Sequence, residues 1–169
     1  MIKIKIKIGV ILIAIVMCIL LFINNNHKIK CEVFLKSKGY KLLTESDEKY
    51  PVWLKSKYAK YISLKLNPEN ITPICNKNDF NELLALQPSD MQKYIDKTID
   101  IYIFAVNNHP LQEKIDGGQK PNSVLIGVFM YKNKIIGGCS MPMFNGYMRA
   151  GEGIHSLEGN TIDEMSNNK

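Results

Sequence analysis

The sequence predicts an α+β domain, a small antiparallel sheet of three to five strands with two or three helices packed on one side, preceded by one N-terminal transmembrane helix. Three stretches predict it. Ile8 to Ile23 is an uncharged apolar run preceded by Lys3, Lys5 and Lys7. Thr98 to Asn107, TIDIYIFAVN, alternates like a strand. Val124 to Tyr147, VLIGVFMYKNKIIGGCSMPMFNGY, holds two apolar runs joined by Lys132-Asn133, with a second turn signal at Asn145-Gly146, the pattern of a β-hairpin.

Sixteen residues, Ile8 to Ile23, rise only about 24 Å as a helix, short of the roughly 30 Å hydrocarbon core. Ile2, Ile4 and Ile6 lengthen the apolar surface while the lysines between them snorkel to the headgroups. The run ends Leu21-Phe22-Ile23-Asn24 without the small residues a signal peptidase needs. Cys18 sits between Met17 and Ile19, mid-run, which is no lipoprotein signal. Lys3 and Lys7 share a helical face while Lys5 points away, so no polar stripe exists for a helix lying on the surface. Residues 1–23 are therefore expected to be cytoplasmic lysines and an uncleaved signal anchor. The positive-inside rule then places the protein in the cell membrane as a single-pass chain, N-terminus cytoplasmic and C-terminal domain extracellular.

Residues 24–30 read as a juxtamembrane spacer and 31–149 as an extracytoplasmic α+β domain. Within KIKCEVFLKSKGY, helical spacing places Ile29 and Val33 on one stripe with Cys31, Phe34 and Leu35 beside it, and Gly39 is a favoured C′ residue. Tyr40 to Thr44 reads as a short strand. Pro51 opens an expected surface helix carrying Leu54, Tyr58, Tyr61 and Ile62 among lysines. Asn67 to Asn78 reads as a loop, and Asp79 to Gln87 as a helix stopped by Pro88. The connection from Asn108 to Pro121 is long enough to be a candidate recognition element.

With Lys132 and Asn133 as the hairpin loop, sequential pairing sets Val128 opposite Gly137, Ile126 opposite Cys139 and Gly127 opposite Gly138. Val124, Ile126, Val128, Met130, Ile135, Cys139 and Met141 then form a core face. The Gly127–Gly138 waist on the other face is a bare patch where a helix or ligand could approach the backbone. Residues 150–169 have few apolar side chains and no period, the pattern of a disordered tail.

The formal charge is +6, but without the three N-terminal lysines 19 basic residues of the 22 face 16 acidic ones, a net +3. Arg149 is the only arginine. A nucleic-acid partner is not expected from that composition. Cys31, Cys75 and Cys139 cannot all pair, and no CxxC is present; buried thiols or a single bridge between two of them are the alternatives. His109, Glu113 and Asp116 share one loop but match no metal-binding spacing. Gly117-Gly118 and Gly137-Gly138 are not phosphate loops. No catalytic, cofactor-binding or metal-binding residue is assigned, and no cofactor is expected.

FLKSKGY (Phe34 to Tyr40), TIDIYIFAVNNHP and FMYKNKIIGGCSMPMFNGYM, ending at Met148, resemble the bacterial domain of unknown function 4830 family. The resemblance covers roughly Val33 to Met148 and implies a single-anchor extracytoplasmic protein of Gram-positive bacteria. That family's last hairpin turn usually has Gly where this chain has Asn133, an exchange the left-handed region tolerates. An acidic residue often follows its paired glycines, where this chain has Cys139, so no shared role transfers to that position. The family has no assigned activity and supplies no catalytic residues. The expected class is a non-enzymatic module binding an envelope protein or a cell-wall component. Two alternatives are a thiol-dependent enzyme centred on Cys139 and a domain binding the membrane surface through the lysine-rich segment 51–66.

Overall fold

The computed structural model describes residues 26–51, 54, 61–88, 90–114, 119–149 and 153–167. The expected anchor, and residues 52, 53 and 55–60 of the lysine-rich segment, lie outside the described residues. Among those described, no helix is long and apolar enough to cross a membrane.

Residues 26–37 form helix α1, so the second half of the expected spacer is already helical. Its end is a Schellman motif: Gly39 takes φ +84°, its N–H bonds the Lys36 carbonyl, and the Tyr40 N–H bonds the Leu35 carbonyl. The buried stripe is Cys31 and Leu35, with Phe34 partly covered. Ile29 and Val33, on the opposite side, are more than half exposed.

Five antiparallel strands follow among the described residues: β1 (Lys41–Leu42), β2 (Tyr61–Lys65), β3 (Thr98–Asn107), β4 (Ser123–Tyr131) and β5 (Lys134–Met143). The order is β1-β3-β4-β5, and β2 also pairs with β3. Because β4 occupies one edge of β3, β1 and β2 share the other, β1 at Val106–Asn107 and β2 from Thr98 to Tyr102. The sheet is thus split along that edge. The helix expected across Pro51 to Leu66 is replaced at its end by β2. YISLK also carries a strand alternation, Ile62 and Leu64 inward against Tyr61, Ser63 and Lys65 outward, and five backbone pairings to β3 favour it over the weaker helical spacing.

Helices cover both faces of the sheet, where one had been expected. The even-numbered side chains Tyr102, Val106, Val124, Ile126, Val128 and Met130 meet Cys31 and Leu35 of α1. The odd-numbered Ile99, Ile101 and Phe129 meet Phe80 and Leu83 of α2 (Phe80–Ala85) and Met91 and Tyr94 of the following 3-10 turn. β4 is buried at eight consecutive positions. That explains why its sequence is a continuous apolar run.

The hairpin contains a β-bulge that sequential pairing does not include. Tyr131 faces Lys134 and Met130 faces Ile135, as expected, but Phe129 faces Gly137, leaving Ile136 as the extra residue. Every later pair shifts by one: Val128 faces Gly138, Gly127 faces Cys139 and Ile126 faces Ser140. A one-residue slip exchanges the faces of a strand. Cys139 therefore joins Ile101 and Phe129 in the α2-side core rather than the Val124–Val128 face.

The expected tail is also corrected. Residues 153–167 are ordered, ending in α3 (Ile162–Ser166), whose Thr161 and Glu164 form a capping box. Ile154 packs on the α2-side core and Leu157 on the α1-side core. Between them His155 exchanges two 3.0 Å backbone hydrogen bonds with Ser140. Among the described residues the segment wraps the edge of β5 with two apolar anchors and a network of polar ones, so it is held in place despite its low hydrophobicity.

Candidate functional site

A concavity of about 1400 Å³ lies between α1 and the split sheet edge. Helical geometry builds one wall. Lys28, Glu32 and Lys36 recur every four residues and so line one flank of α1, with Lys28 Nζ 3.7 Å from Glu32 Oε1. Tyr102 and Phe104 of β3, Tyr61 of β2 and Leu42 of β1 supply the apolar surface. The segment Thr44 to Ser46 and Tyr50 close the far end.

The aromatic side is ordered by contacts along the strands. Tyr61 and Tyr102 are cross-strand partners with ring centroids 5.0 Å apart, and the Tyr61 hydroxyl donates to Asp100 Oδ1 at 2.9 Å. Burial, then the Asp100 hydrogen bond, raises the Tyr61 phenol above its ordinary value. Burial does the same to Tyr102. Both phenols therefore stay protonated through the physiological range. The groove can offer aromatic surface and both charge signs to a ligand, and its shape, a helix flank beside a strand edge, suits an extended polypeptide.

The residues singled out from sequence do not converge. Cys139 has no exposed surface, and its Sγ lies 3.5 Å from where a Cβ on Gly127 would sit. Burial, with Cys75 nearby, pushes this thiol up to about 12. A thiolate there is a fraction on the order of one in 100,000 at neutral pH. Cys31 and Cys75 are likewise buried and free, so the alternative of a bridge is not realised. Cys31 makes a 3.3 Å sulfur contact with Met130. His109 points into the core, whereas Glu113 points out to Lys120 at 2.9 Å, and Asp116 lies outside the described residues. No group of three His, Cys, Asp or Glu among the described residues is placed to hold a metal.

The glycine waist is not a groove. Gly127 and Gly138 are not opposite one another, and a Cβ on Gly138 would meet the Gly127 carbonyl at 2.4 Å and Leu157 at 2.8 Å. Gly137 is covered by Gln87 and Pro88. Gln87, at the end of α2, donates to the Leu83 carbonyl and accepts from the Gly138 N–H at 2.8 Å. The long Asn108–Pro121 connection is partly structural: His109 caps the 3-10 turn Pro110–Glu113, and Leu111 is buried.

The groove was not anticipated because it joins residues far apart in sequence. The spacing of Lys28, Glu32 and Lys36 is the part visible in the sequence, whereas Tyr61 carries both helical and strand spacing and joins the groove only through its pairing with Tyr102. Comparison with protein-family models, curated proteins and solved structures finds no significant match. The family resemblance therefore rests on the residues quoted above.

Proposed function

We propose that the protein is a membrane-anchored extracytoplasmic module whose groove between α1 and the split edge binds an extended segment of an envelope protein. The groove is the observation that carries this reading, because it combines aromatic surface with an ordered charged flank. The apolar run Ile8 to Ile23 behind its lysines supports the anchor. The outward Ile29 and Val33 follow that run by only a few residues, where a bilayer-proximal helix would carry apolar surface. The protonated, buried Cys139 favours binding over thiol chemistry.

A photocrosslinking residue introduced at Tyr61 of the full chain in intact cells tests the reading. It is expected to capture a discrete envelope protein, competed by a peptide from that protein, while the same probe at Met165 on α3 captures none. Equal labelling from both sites, or capture only of wall glycan, would contradict it.

A further inference from the structure

Two elements distant in sequence build one basic end of the domain. Lys30 Nζ donates to the Asn133 carbonyl at 2.7 Å, and Cys31 Sγ meets the Met130 sulfur at 3.3 Å. The N-terminal half of α1 therefore lies alongside the tip of the β4–β5 hairpin. Rises of about 1.5 Å per helical residue and about 3.3 Å per strand residue put Lys132 level with the first described turn of α1. The Asn145-Gly146 turn is at the opposite end of the sheet, where the Asn145 N–H donates to Asn122 Oδ1 just before β4 begins. The length of β4, about 27 Å, separates the two ends.

Charge collects at the tip. Lys28 pairs with Glu32 and Lys93 with Asp90, and Lys134 adds to Lys93 in holding the Asp90 carboxyl below its ordinary range. No carboxylate among the described residues forms an ion pair with Lys30, Lys132 or Lys134. The Lys132 ammonium lies 5.4 Å from the centre of the Tyr131 ring, which in turn packs on Tyr94 with ring centroids 5.2 Å apart. Beside this cluster Ile29 is 53% and Val33 60% exposed. Apolar side chains flanked by lysines and tyrosines make up the composition of a surface seated at lipid headgroups.

The chain itself indicates what covers this end. The described part of α1 begins at Asn26, with two residues between it and Ile23, the last residue of the apolar run. Even fully extended, that link spans only about 11 Å. An anchored run therefore keeps Ile29 and the neighbouring tip at the bilayer surface, where lipid phosphates supply the opposite charge. We propose that the outer side of α1 at Ile29 and Val33, together with the tip Lys132 to Lys134, docks on an anionic bilayer. The domain then stands in one orientation, with the Asn145-Gly146 turn directed away from the membrane. This rests on the anchor in the reading above and is independent of the groove. Each lysine at an anionic surface changes the docked-to-undocked ratio by about fivefold, an effect that salt screens.

The full chain in nanodiscs carrying nitroxide-labelled headgroups tests the docking by relaxation enhancement of its amides. Discs of equal parts phosphatidylglycerol and phosphatidylcholine are compared with discs of phosphatidylcholine alone. The Lys132, Asn133 and Lys134 amides are expected to be enhanced at least about threefold more in the anionic discs, with Asn145, Gly146 and Tyr147 unaffected in both. The double substitution Lys132→Gln, Lys134→Gln lies on exposed positions and should leave β3 and β4 chemical shifts in place. It should lower the docked-to-undocked ratio by up to about thirtyfold and bring tip enhancement in anionic discs down to the neutral-disc level. Ile29→Ser with Val33→Ser should weaken tip enhancement in both kinds of disc, because apolar insertion does not depend on lipid charge. A tether without docking would give tip enhancement that agrees between the two discs and does not respond to the lysine substitutions. Either result, or equal enhancement at Asn145 to Tyr147, would overturn the docking while leaving the anchor standing. Release of the full chain from vesicles by alkaline carbonate would overturn the anchor and the docking with it.

Discussion

Gly138→Ala is the substitution on which the bulged hairpin makes its sharpest demand. The added Cβ would lie 2.4 Å from the Gly127 carbonyl oxygen and 2.8 Å from Leu157 Cδ2. The first contact is backbone in the most buried strand pair of the sheet, so it cannot be relieved by a rotamer change; the second presses on the C-terminal segment. Overpacking of a tight core costs about 1–3 kcal/mol, and a clash with backbone belongs in the upper half of that range. About 2–3 kcal/mol corresponds to roughly 5–10 °C in Tm for a chain of this size. Gly127→Ala is the internal comparison, since its Cβ would meet Cys139, Phe129 and Ile101 at 3.5–3.6 Å, ordinary contact. The smaller conformational freedom of alanine in the unfolded chain offsets what remains, leaving it within about 1 kcal/mol of the parent. Urea unfolding followed by circular dichroism measures both. A Gly138→Ala protein within about 0.5 kcal/mol of the parent, or one no less stable than Gly127→Ala, would refute the reasoning.

Other expectations test separate parts of the structure. Phe129→Ala should cost about 3–5 kcal/mol by urea titration, because the ring is fully buried between β3 and the α2 layer. Lys132 holds φ +53° in the hairpin turn, so Lys132→Gly should raise the urea midpoint by the equivalent of about 0.5–1 kcal/mol, net of the lost contact between Lys132 and the Tyr131 ring. Iodoacetamide should leave Cys31, Cys75 and Cys139 unmodified in the folded domain and alkylate all three after unfolding, since burial raises their thiols to about 12, 11 and 12. Rapid labelling of Cys139 in the native state would return attention to thiol chemistry.

The parts of the fold that were legible in the sequence were those fixed by local chemistry. β3 runs from Thr98 to Asn107 as its alternation indicates, Gly39 ends α1 in the left-handed region, and Pro88 follows α2. The Lys132-Asn133 and Asn145-Gly146 turns are both formed. What was not legible depended on contacts between distant segments. KIIGG reads equally well with or without an extra residue at Ile136, and only the covering of Gly137 by Gln87 and of Gly138 by Leu157 favours the bulge. Tyr61 to Lys65 fits both periods, and its pairing with β3 decides. The C-terminal segment lacks an apolar period because hydrogen bonds to Ser140, Tyr40 and His109 hold it. The groove was least legible, since Lys28, Glu32 and Lys36 face Tyr102 only after α1 packs on the sheet.

Everything inferred about the sheet's two faces, its sealed edge and the burial of Cys139 turns on the bulge at Ile136. Gly127→Cys tests it most directly, because the register sets position 127 opposite the native Cys139 and the two side chains on one face. Refolding the variant in oxidised glutathione and mapping disulfides by mass spectrometry should give a bridge between positions 127 and 139, within the reach of directly paired antiparallel residues. A variant that leaves Cys139 free, while the Gly127→Cys, Gly138→Cys double substitution bridges positions 127 and 138, would show the sequential register and contradict the account.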